Sequence, residues 1–322
     1  MDTDTRLKKL IEILSSTNDY VPGSKLASIL GLSKPMVHRL IEDLRKRGFI
    51  VESHPRRGYR LLVVDDLSLA DNYVRGIGRR LEFKVYYVEN CGSTQDLAEA
   101  LAEQGVHEGA IVLAEEMIKG RGRMGRQWIA RRGGLWFTLV LRPRNTRGLQ
   151  LLSLVAGLAV VRGIESLLGV RTGLKWPNDV LYNERKLAGI LVEGKVEADV
   201  VKYVLLGIGL NVNNELPVEL KDTAITLKEI TSKLIPRIPV LRSILLRIDE
   251  YYDTLVRGQY GRILEEWKKY SVTIGKRVRA YTVSGDVVEG IAEDIASDGS
   301  LIIRLGNGKR VIVYAGDIVH LR

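Results

Sequence analysis

The chain has 322 residues, 45% of them hydrophobic and 27% charged, with a formal net charge of +10 and a single cysteine, Cys91. These figures exclude a disordered or fibrous chain, an internal disulfide and a cysteine-cluster metal site, and at roughly 100 to 200 residues per domain they predict two or three cores. The positive balance is compatible with a polyanionic partner and says nothing about fold. The longest apolar stretch, Leu151 to Val161, is followed by Arg162 and Glu165. That is short of the roughly 20 residues needed to span a bilayer, so no membrane helix is expected. Asp2 and Asp4 precede the first helix where a secretory signal would carry basic residues, so a cytoplasmic protein is expected.

Leu7, Leu10, Ile11 and Leu14 form the apolar stripe of a first helix. Ser24 is the expected cap of a short second helix ended by Gly31; Ser33 is the expected cap of a third, with Pro35 in its first turn and Gly48 beyond its end. Two strands, Phe49 to Glu52 and Tyr59 to Val64, flank a basic loop at residues 53–58. This is the order of a winged helix-turn-helix. Between Ser33 and Arg60 the basic residues Lys34, Arg39, Arg45, Lys46, Arg47, Arg56, Arg57 and Arg60 face only Glu42, Asp43 and Glu52. Ser33, Lys34, Met36, His38 and Arg39 on the third helix, with Arg56 and Arg57 on the wing, are therefore the candidate DNA contacts. A charged protein-interaction module is the competing reading, and salt-sensitive DNA binding separates the two.

Residues 65–80 carry no decisive signal. Strands are predicted at Phe83 to Glu89, Ala110 to Glu115, Leu135 to Arg142, Thr172 to Trp176, Lys186 to Glu193 and Val200 to Asn211. Helices are predicted at Ser93 to Gln104, where Ser93 and Asp96 make a capping pattern, and at Leu149 to Leu168, Val240 to Val256 and Arg262 to Tyr270. The body is thus α/β or α+β. From residue 271 onward, short β runs broken by Gly285, Asp298-Gly299 and Asn307-Gly308 predict a small all-β barrel. The resulting division is 1–65, 66–270 and 271–322.

The stretch Gly120 to Trp128, GRGRMGRQW, fits G-x-G-x-x-G. The dinucleotide-binding reading fails, because no helix follows and no acid lies about 20 residues on. Lys119, Arg121, Arg123, Arg126, Arg131 and Arg132 occur there without an acid, so the loop suits phosphates and carboxylates instead, and Trp128 suits a flat ring. No P-loop motif is present. Lys175, in KWPND, stands where a strand ends and can stabilise charge on an α-phosphate or an acyl anhydride. Ala188, Gly189, Gly207 and Gly209 leave space on neighbouring strands, and Asn211 offers both a donor and an acceptor. Taken one at a time, tight sheet packing explains these small residues as well.

In this order, Ser93-Thr94-Gln95, GRGRMGRQW, KWPND, RKLAGILVE (185–193) and GIGLNVN (207–213) closely resemble the biotin-protein ligase family. The N-terminal module is similar to that of its bifunctional ligase/repressor members. The resemblance implies a multidomain α+β chain: a winged helix, a catalytic domain like class II aminoacyl-tRNA synthetases, and a C-terminal SH3-like barrel. It implies adenylation of biotin by magnesium-ATP, then transfer to a lysine of a biotin carboxyl carrier protein, with repression of biotin genes through operator DNA and a homodimer. By motif it assigns Lys175, Arg121 and Arg123 to catalysis. It gives Ser93, Thr94, Gln95, Met117, Arg121, Gly122, Arg123, Lys175 and Gly189 to biotin, and Gly120, Arg126, Trp128, Lys186 and Asn211 to the nucleotide. No protein metal ligands are assigned. Two residues depart from the family pattern: Met117 stands where glutamine is usual, and Gln95 replaces an asparagine. A biotin sensor without efficient transfer, and a lipoate or other acyl-adenylate ligase, are the alternative functions.

Overall fold

A computed structural model describes residues 3–17, 19–46, 49–62, 65–197, 200–282 and 285–321, so the expected contributions of Asp2, Arg47, Gly48 and Val64 lie outside the described residues. The N-terminal stripes close a core. Helices α1 (Thr3–Ser15), α2 (Gly23–Leu30) and α3 (Lys34–Lys46) bury Leu7, Leu10, Leu14, Leu26, Leu30, Val37, Leu40, Ile41 and Leu44. Each such side chain gains roughly 1.5–3 kcal/mol on leaving water. Strands β1 (Ile50–His54) and β2 (Gly58–Leu62) pair antiparallel in the register His54↔Gly58, so the wing turns through Pro55, Arg56 and Arg57. Ser24 does not cap α2: Pro22 stands at the N-cap without a side-chain bond, and Ser24 falls inside the helix. Gly31 ends α2 at φ 63°, a conformation that suits glycine.

The silent segment after the wing is a 3-10 turn (Leu67–Leu69) capped by Asp66, then α4 (Ala70–Val74). The body is built on strands β3 (Lys84–Cys91), β4 (Ala110–Met117), β5 (Leu135–Leu141), β6 (Gly173–Lys175), β7 (Asp179–Tyr182), β8 (Arg185–Glu197) and β9 (Val200–Leu210). They form one seven-stranded sheet in the order β3-β4-β5-β9-β8-β7-β6, antiparallel except for β3 with β4. Alternation along β4 sends Ile111 and Leu113 to one face and Ala110 and Val112 to the other. The second face is covered by α5 (Thr94–Glu103) through Ala98 and Ala102. The first face is covered by α6 (Leu152–Leu168) and, beyond it, α8 (Arg237–Val256). With the preceding 3-10 turn, α6 makes a 20-residue run, Leu149–Leu168, of mean hydropathy 1.8, which is long and apolar enough to cross a membrane. This is the helix predicted at Leu149 to Leu168, and most of it is buried inside the protein. Its burial beneath the sheet and α8 accounts for its apolarity.

Helices α7 (Leu227–Thr231) and α9 (Tyr260–Tyr270) complete the body. The C-terminal strands β10 (Arg277–Thr282), β11 (Val287–Ile295), β12 (Leu301–Arg304), β13 (Arg310–Val313) and β14 (Gly316–His320) form an antiparallel sheet in the order β13-β12-β11-β10-β14. The apolar pattern predicts four of these five, and β14 is the addition. Trp176 pins this sheet to the body: its indole N–H donates to the Gly299 carbonyl at 2.9 Å, and its backbone N–H donates to Thr273 Oγ1 at 3.1 Å.

Candidate active site

The motif segments meet in one cavity of about 350 Å³ over the middle of the large sheet. Its floor comes from β8 and β9, where Gly189 and Gly209 are cross-strand partners. A Cβ on Gly189 would lie 2.9 Å from the Trp128 ring, and one on Gly209 would lie 2.6 Å from it. The two glycines therefore admit an aromatic ring that any larger residue would exclude. The Trp128 indole meets Trp136 edge to face with centroids 6.1 Å apart, and its buried N–H has no hydrogen-bond partner. Gly120 is needed for another reason, since a side chain there would strike the Trp128 carbonyl at 2.4 Å. It closes the base of the loop through a bond from Trp128 N–H to its own carbonyl, outside the cavity lining.

The arginine loop is a hairpin, tied by the bridges Met117↔Ala130 and Arg121↔Gln127, with a 3-10 turn (Arg123–Gly125) at its tip. Its cations are held by acids. Arg121 bonds Asp96 at 2.6 Å and Glu193 at 3.2 Å. Asp96 therefore serves the loop, while Ser93 alone caps α5 by accepting from the Gln95 N–H at 3.2 Å. Arg123 reaches Asn178 Oδ1 at 3.3 Å and the Gly316 carbonyl at 3.2 Å, and Arg126 reaches Asp317 at 2.7 Å. The C-terminal sheet thus holds the loop as well. Burial pulls the Arg123 pKa down, against the pull of the Asp317 carboxylate.

The two lysines predicted for the site take different places. Lys186 lines the cavity, with its ammonium 5.3 Å above the Trp128 ring and 2.6 Å from Asp179 Oδ1. Lys175 ends β6 beside the first strand residue of β7 and lies outside the lining. Burial lowers its pKa, with Asp179 opposing and the Lys186 charge adding to the fall. Burial also raises the Cys91 pKa, which argues against a thiolate nucleophile.

At the other end of the cavity stand Ser93, Thr94, Gln95 and Met117. The Thr94 N–H and hydroxyl both donate to Met117 Sδ, at 3.3 and 3.5 Å, and the same hydroxyl accepts from Thr138 at 2.9 Å. Asn211 lines the cavity too, buried, with its Oδ1 accepting from Asn214 at 3.1 Å. Asn178, from the KWPND segment, also lines the wall, as do Phe137, Thr138, Leu216 and Ala224, which no local pattern marks because their strands and loops meet only in the fold.

The DNA-facing candidates lie apart from this cavity. Ser33, Lys34, Met36, His38 and Arg39 are all exposed at and just before the start of α3, and Arg56 and Arg57 are exposed at the wing tip. Ser33 caps α3 weakly, accepting from Met36 N–H at 3.4 Å. His38 meets the Tyr59 hydroxyl at 3.3 Å, which joins helix to wing, and Arg57 lies over the Tyr20 ring at 4.5 Å. A larger polar cleft of about 1120 Å³, between the end of α3 and α8, contains none of the motif residues.

Comparison with known proteins agrees with this layout. Residues 6–60 match the HTH domain family, residues 87–211 the biotin/lipoate A/B protein ligase family, and residues 273–321 the biotin protein ligase C-terminal domain. The bifunctional ligase/repressor BirA of Bacillus subtilis is 38% identical over 98% of both chains. The biotin–[acetyl-CoA-carboxylase] ligase of Mycobacterium tuberculosis is 38% identical over 80% of this chain and 96% of its own. Among solved structures, the biotin protein ligase of Aquifex aeolicus in complex with biotin and ATP superposes with a TM-score of 0.66 at 32% identity. It covers 74% of this chain and 99% of its own. With all three domains matched and near-complete coverage by a bifunctional relative, this chain belongs to the biotin-protein ligase family, in its winged-helix ligase/repressor form.

Proposed function

We propose that the chain is a biotin-protein ligase and a biotin-responsive repressor, with residues 1–65 as the DNA module, 66–270 as the ligase body and 271–322 as the C-terminal β domain. In the first half-reaction a biotin carboxylate oxygen attacks the α-phosphorus of ATP and pyrophosphate leaves. In the second, a lysine amine of the carrier protein attacks the acyl carbon and AMP leaves. The observation that carries this reading is the cavity itself, where the arginine loop, the Lys186 ammonium and the Trp128 ring converge on one ligand-sized space. Charge that builds on the α-phosphate has donors at Arg121, Arg123 and Lys186, and each must leave an acid partner to reach it. Lys175 stays a candidate through its charge, as the cross-strand partner of Asp179.

Among the described residues no group of three metal-ligating side chains stands together, so magnesium would enter as the counter-ion of the triphosphate and no step above is routed through it. Arg56 and Arg57 would hold phosphates, with the start of α3 in the major groove, and a homodimer would present two such modules to a palindromic operator in the cytoplasm. The test is to incubate the chain with biotin, magnesium-ATP and a biotin carboxyl carrier domain, and to follow the carrier by streptavidin blot. Labelling that needs ATP and the carrier lysine supports the ligase; bound biotin without labelling supports a sensor.

A further inference from the structure

We infer that the polar cleft between α3 and α8 carries duplex DNA, with Lys46, Arg79 and Arg262 on the phosphates next to the stretch that α3 enters, so that the ligase body is itself part of the DNA interface. The inference rests on the reading of the N-terminal module as DNA-binding. On α3, Met36, Arg39, Asp43 and Lys46 recur at i, i+3, i+7 and i+10 and so share one face of the helix. The first two are candidate base contacts, and the last two line the cleft. The DNA-facing stripe therefore continues, over roughly 15 Å of helix, into the space between module and body. Two ties keep that space in place. The Lys8 ammonium donates to the Glu165 carbonyl at 3.1 Å, which fixes α1 to α6, and Arg237 Nε meets Asp65 at 2.7 Å, which fixes the exit of the wing to α8.

Among the described residues seven lysines and arginines and four acids line the cleft, an excess of three positive charges. Three of the acids are already engaged. Asp249 is buried and accepts from the backbone N–H groups of Arg79, Arg80 and Leu81 at 2.8, 3.1 and 2.7 Å. Glu250 pairs with Arg247 at 2.8 Å, and Asp253 pairs with Arg257 at 2.8 Å and with Arg80 at 3.6 Å. Asp43 is left to offset one of the remaining cations. Lys46, Arg79 and Arg262 are exposed, and among the described residues no carboxylate pairs with their side chains. They come from α3, from the loop before β3 and from α9, and they meet only at this cleft. The lining tells against a compact ligand. It holds no aromatic ring, and among the described residues none of its side-chain polar atoms is buried without a partner, whereas small-molecule sites are mostly apolar walls around a few fixed polar groups. Exposed cations on long side chains suit a backbone of regularly spaced phosphates, which they bind by releasing counterions rather than by shape.

The test is fluorescence anisotropy of the full-length chain with a labelled duplex of about four helical turns, at several salt concentrations. The double variant Arg79→Ala/Arg262→Ala is expected to bind about 10-fold or more weakly and to lower the magnitude of the slope of log affinity against log salt by about 1.8, at about 0.9 per phosphate. Arg79→Lys/Arg262→Lys should keep the slope, since the charge remains. Arg277→Ala/Arg304→Ala takes the same charge from the C-terminal sheet, outside the cleft, and should leave the slope unchanged. Streptavidin labelling of the carrier domain should be the same in wild type and in Arg79→Ala/Arg262→Ala, because neither arginine lines the ligand cavity. A wild-type slope in Arg79→Ala/Arg262→Ala, beside a lower slope in Lys34→Ala, overturns the proposal and leaves the DNA module standing. A fall no larger than that of Arg277→Ala/Arg304→Ala overturns it too, because net charge would then account for the effect. Binding of inorganic pyrophosphate that Arg79→Ala/Arg262→Ala abolishes, with DNA binding untouched, overturns it in favour of a small anion. Absence of any duplex binding by wild type overturns the reading of the module itself, and this proposal with it.

Discussion

Arg237 and Glu115 face each other as a bidentate pair, Nη1 to Oε1 at 2.8 Å and Nη2 to Oε2 at 2.9 Å, with each side chain 3% exposed. Arg237 Nε meets Asp65 at 2.7 Å, and Asn213 donates to the same carboxylate at 3.3 Å. The segment leaving the wing is thus fastened to the core of the body and to the strand exit that carries Asn211. Removing one member of such a group strands a charge away from water. Arg237→Met is expected to lower unfolding free energy by about 3–5 kcal/mol, and adding Glu115→Leu should recover part of the loss. Urea denaturation measures both, and a loss below about 1 kcal/mol would show that the pair is merely coincident with the fold.

Trp128 lies on the glycine floor of the cavity, whereas Trp136, Trp176 and Trp267 are buried at 2% exposure or less. If the adenine stacks on Trp128, ATP should change the tryptophan emission, and Trp128→Phe should abolish that change. Gly209→Ala is expected to weaken the nucleotide by about 10-fold or more, since its Cβ would meet the indole at 2.6 Å and the ring would have to move. A nucleotide response undiminished in Trp128→Phe would place the adenine elsewhere.

Most of the ligand-handling residues are legible in the sequence because they come in runs. Glycines that admit a ring, arginines without acids between them and a cap at Ser93 each declare their chemistry within a short stretch of chain. Their partners are hidden for the opposite reason. Glu193 reaches Gln95 across 98 positions, and Gly316 reaches Arg123 across 193. Such contacts depend on sheet order, which local periodicity does not encode. Strand β7, at four residues, and β14, at five, are too short for alternation to stand out beside the turn signals around them. Asp96 misleads for a related reason: it sits three residues after Ser93 as a capping pattern requires, but a guanidinium brought in by the fold draws its carboxylate away from the helix backbone.

Arg56 and Lys34 are exposed, and among the described residues no carboxylate pairs with either, so each is available to a phosphate. Replacing either with alanine should weaken DNA binding and lower the magnitude of the slope of log affinity against log salt by about 0.9 for each phosphate left unneutralised. Fluorescence anisotropy on a labelled duplex at several salt concentrations measures the slope. An unchanged slope in both variants would favour the protein-interaction reading of the module.

His320 in β14 carries a depressed pKa, lowered first by burial and then by the Lys175 and Lys276 charges, with Glu184 opposing. The unfolded chain takes up a proton near the ordinary value of about 6.5, and the folded chain does so only at lower pH. The contribution of His320 to stability is therefore complete above the ordinary value, and it declines as the pH falls from there toward the folded value. His320→Asn should flatten this part of the stability profile, as followed by thermal melting at a series of pH values. An identical slope in the variant would assign the acid sensitivity to other groups.

The family motif assigns catalysis to Lys175 and only nucleotide contact to Lys186, whereas it is Lys186 that stands in the cavity. The Lys186 ammonium already lies in the cavity beside Trp128, and turning to a phosphate oxygen would cost it the ion pair with Asp179. Lys175 would act from outside the lining, where burial already disfavours its charge. Lys186→Ala is expected to lower kcat/KM for adenylation by about 100-fold or more, and Lys175→Ala by less, as measured by pyrophosphate release. Because the Lys175 pKa is depressed, whatever rate its charge supplies should fade at a pH below that of an ordinary lysine, and Lys175→Ala should remove that alkaline limb alone. The reverse order, with Lys175→Ala the more damaging, would overturn the preference for Lys186 and return the catalytic role to Lys175.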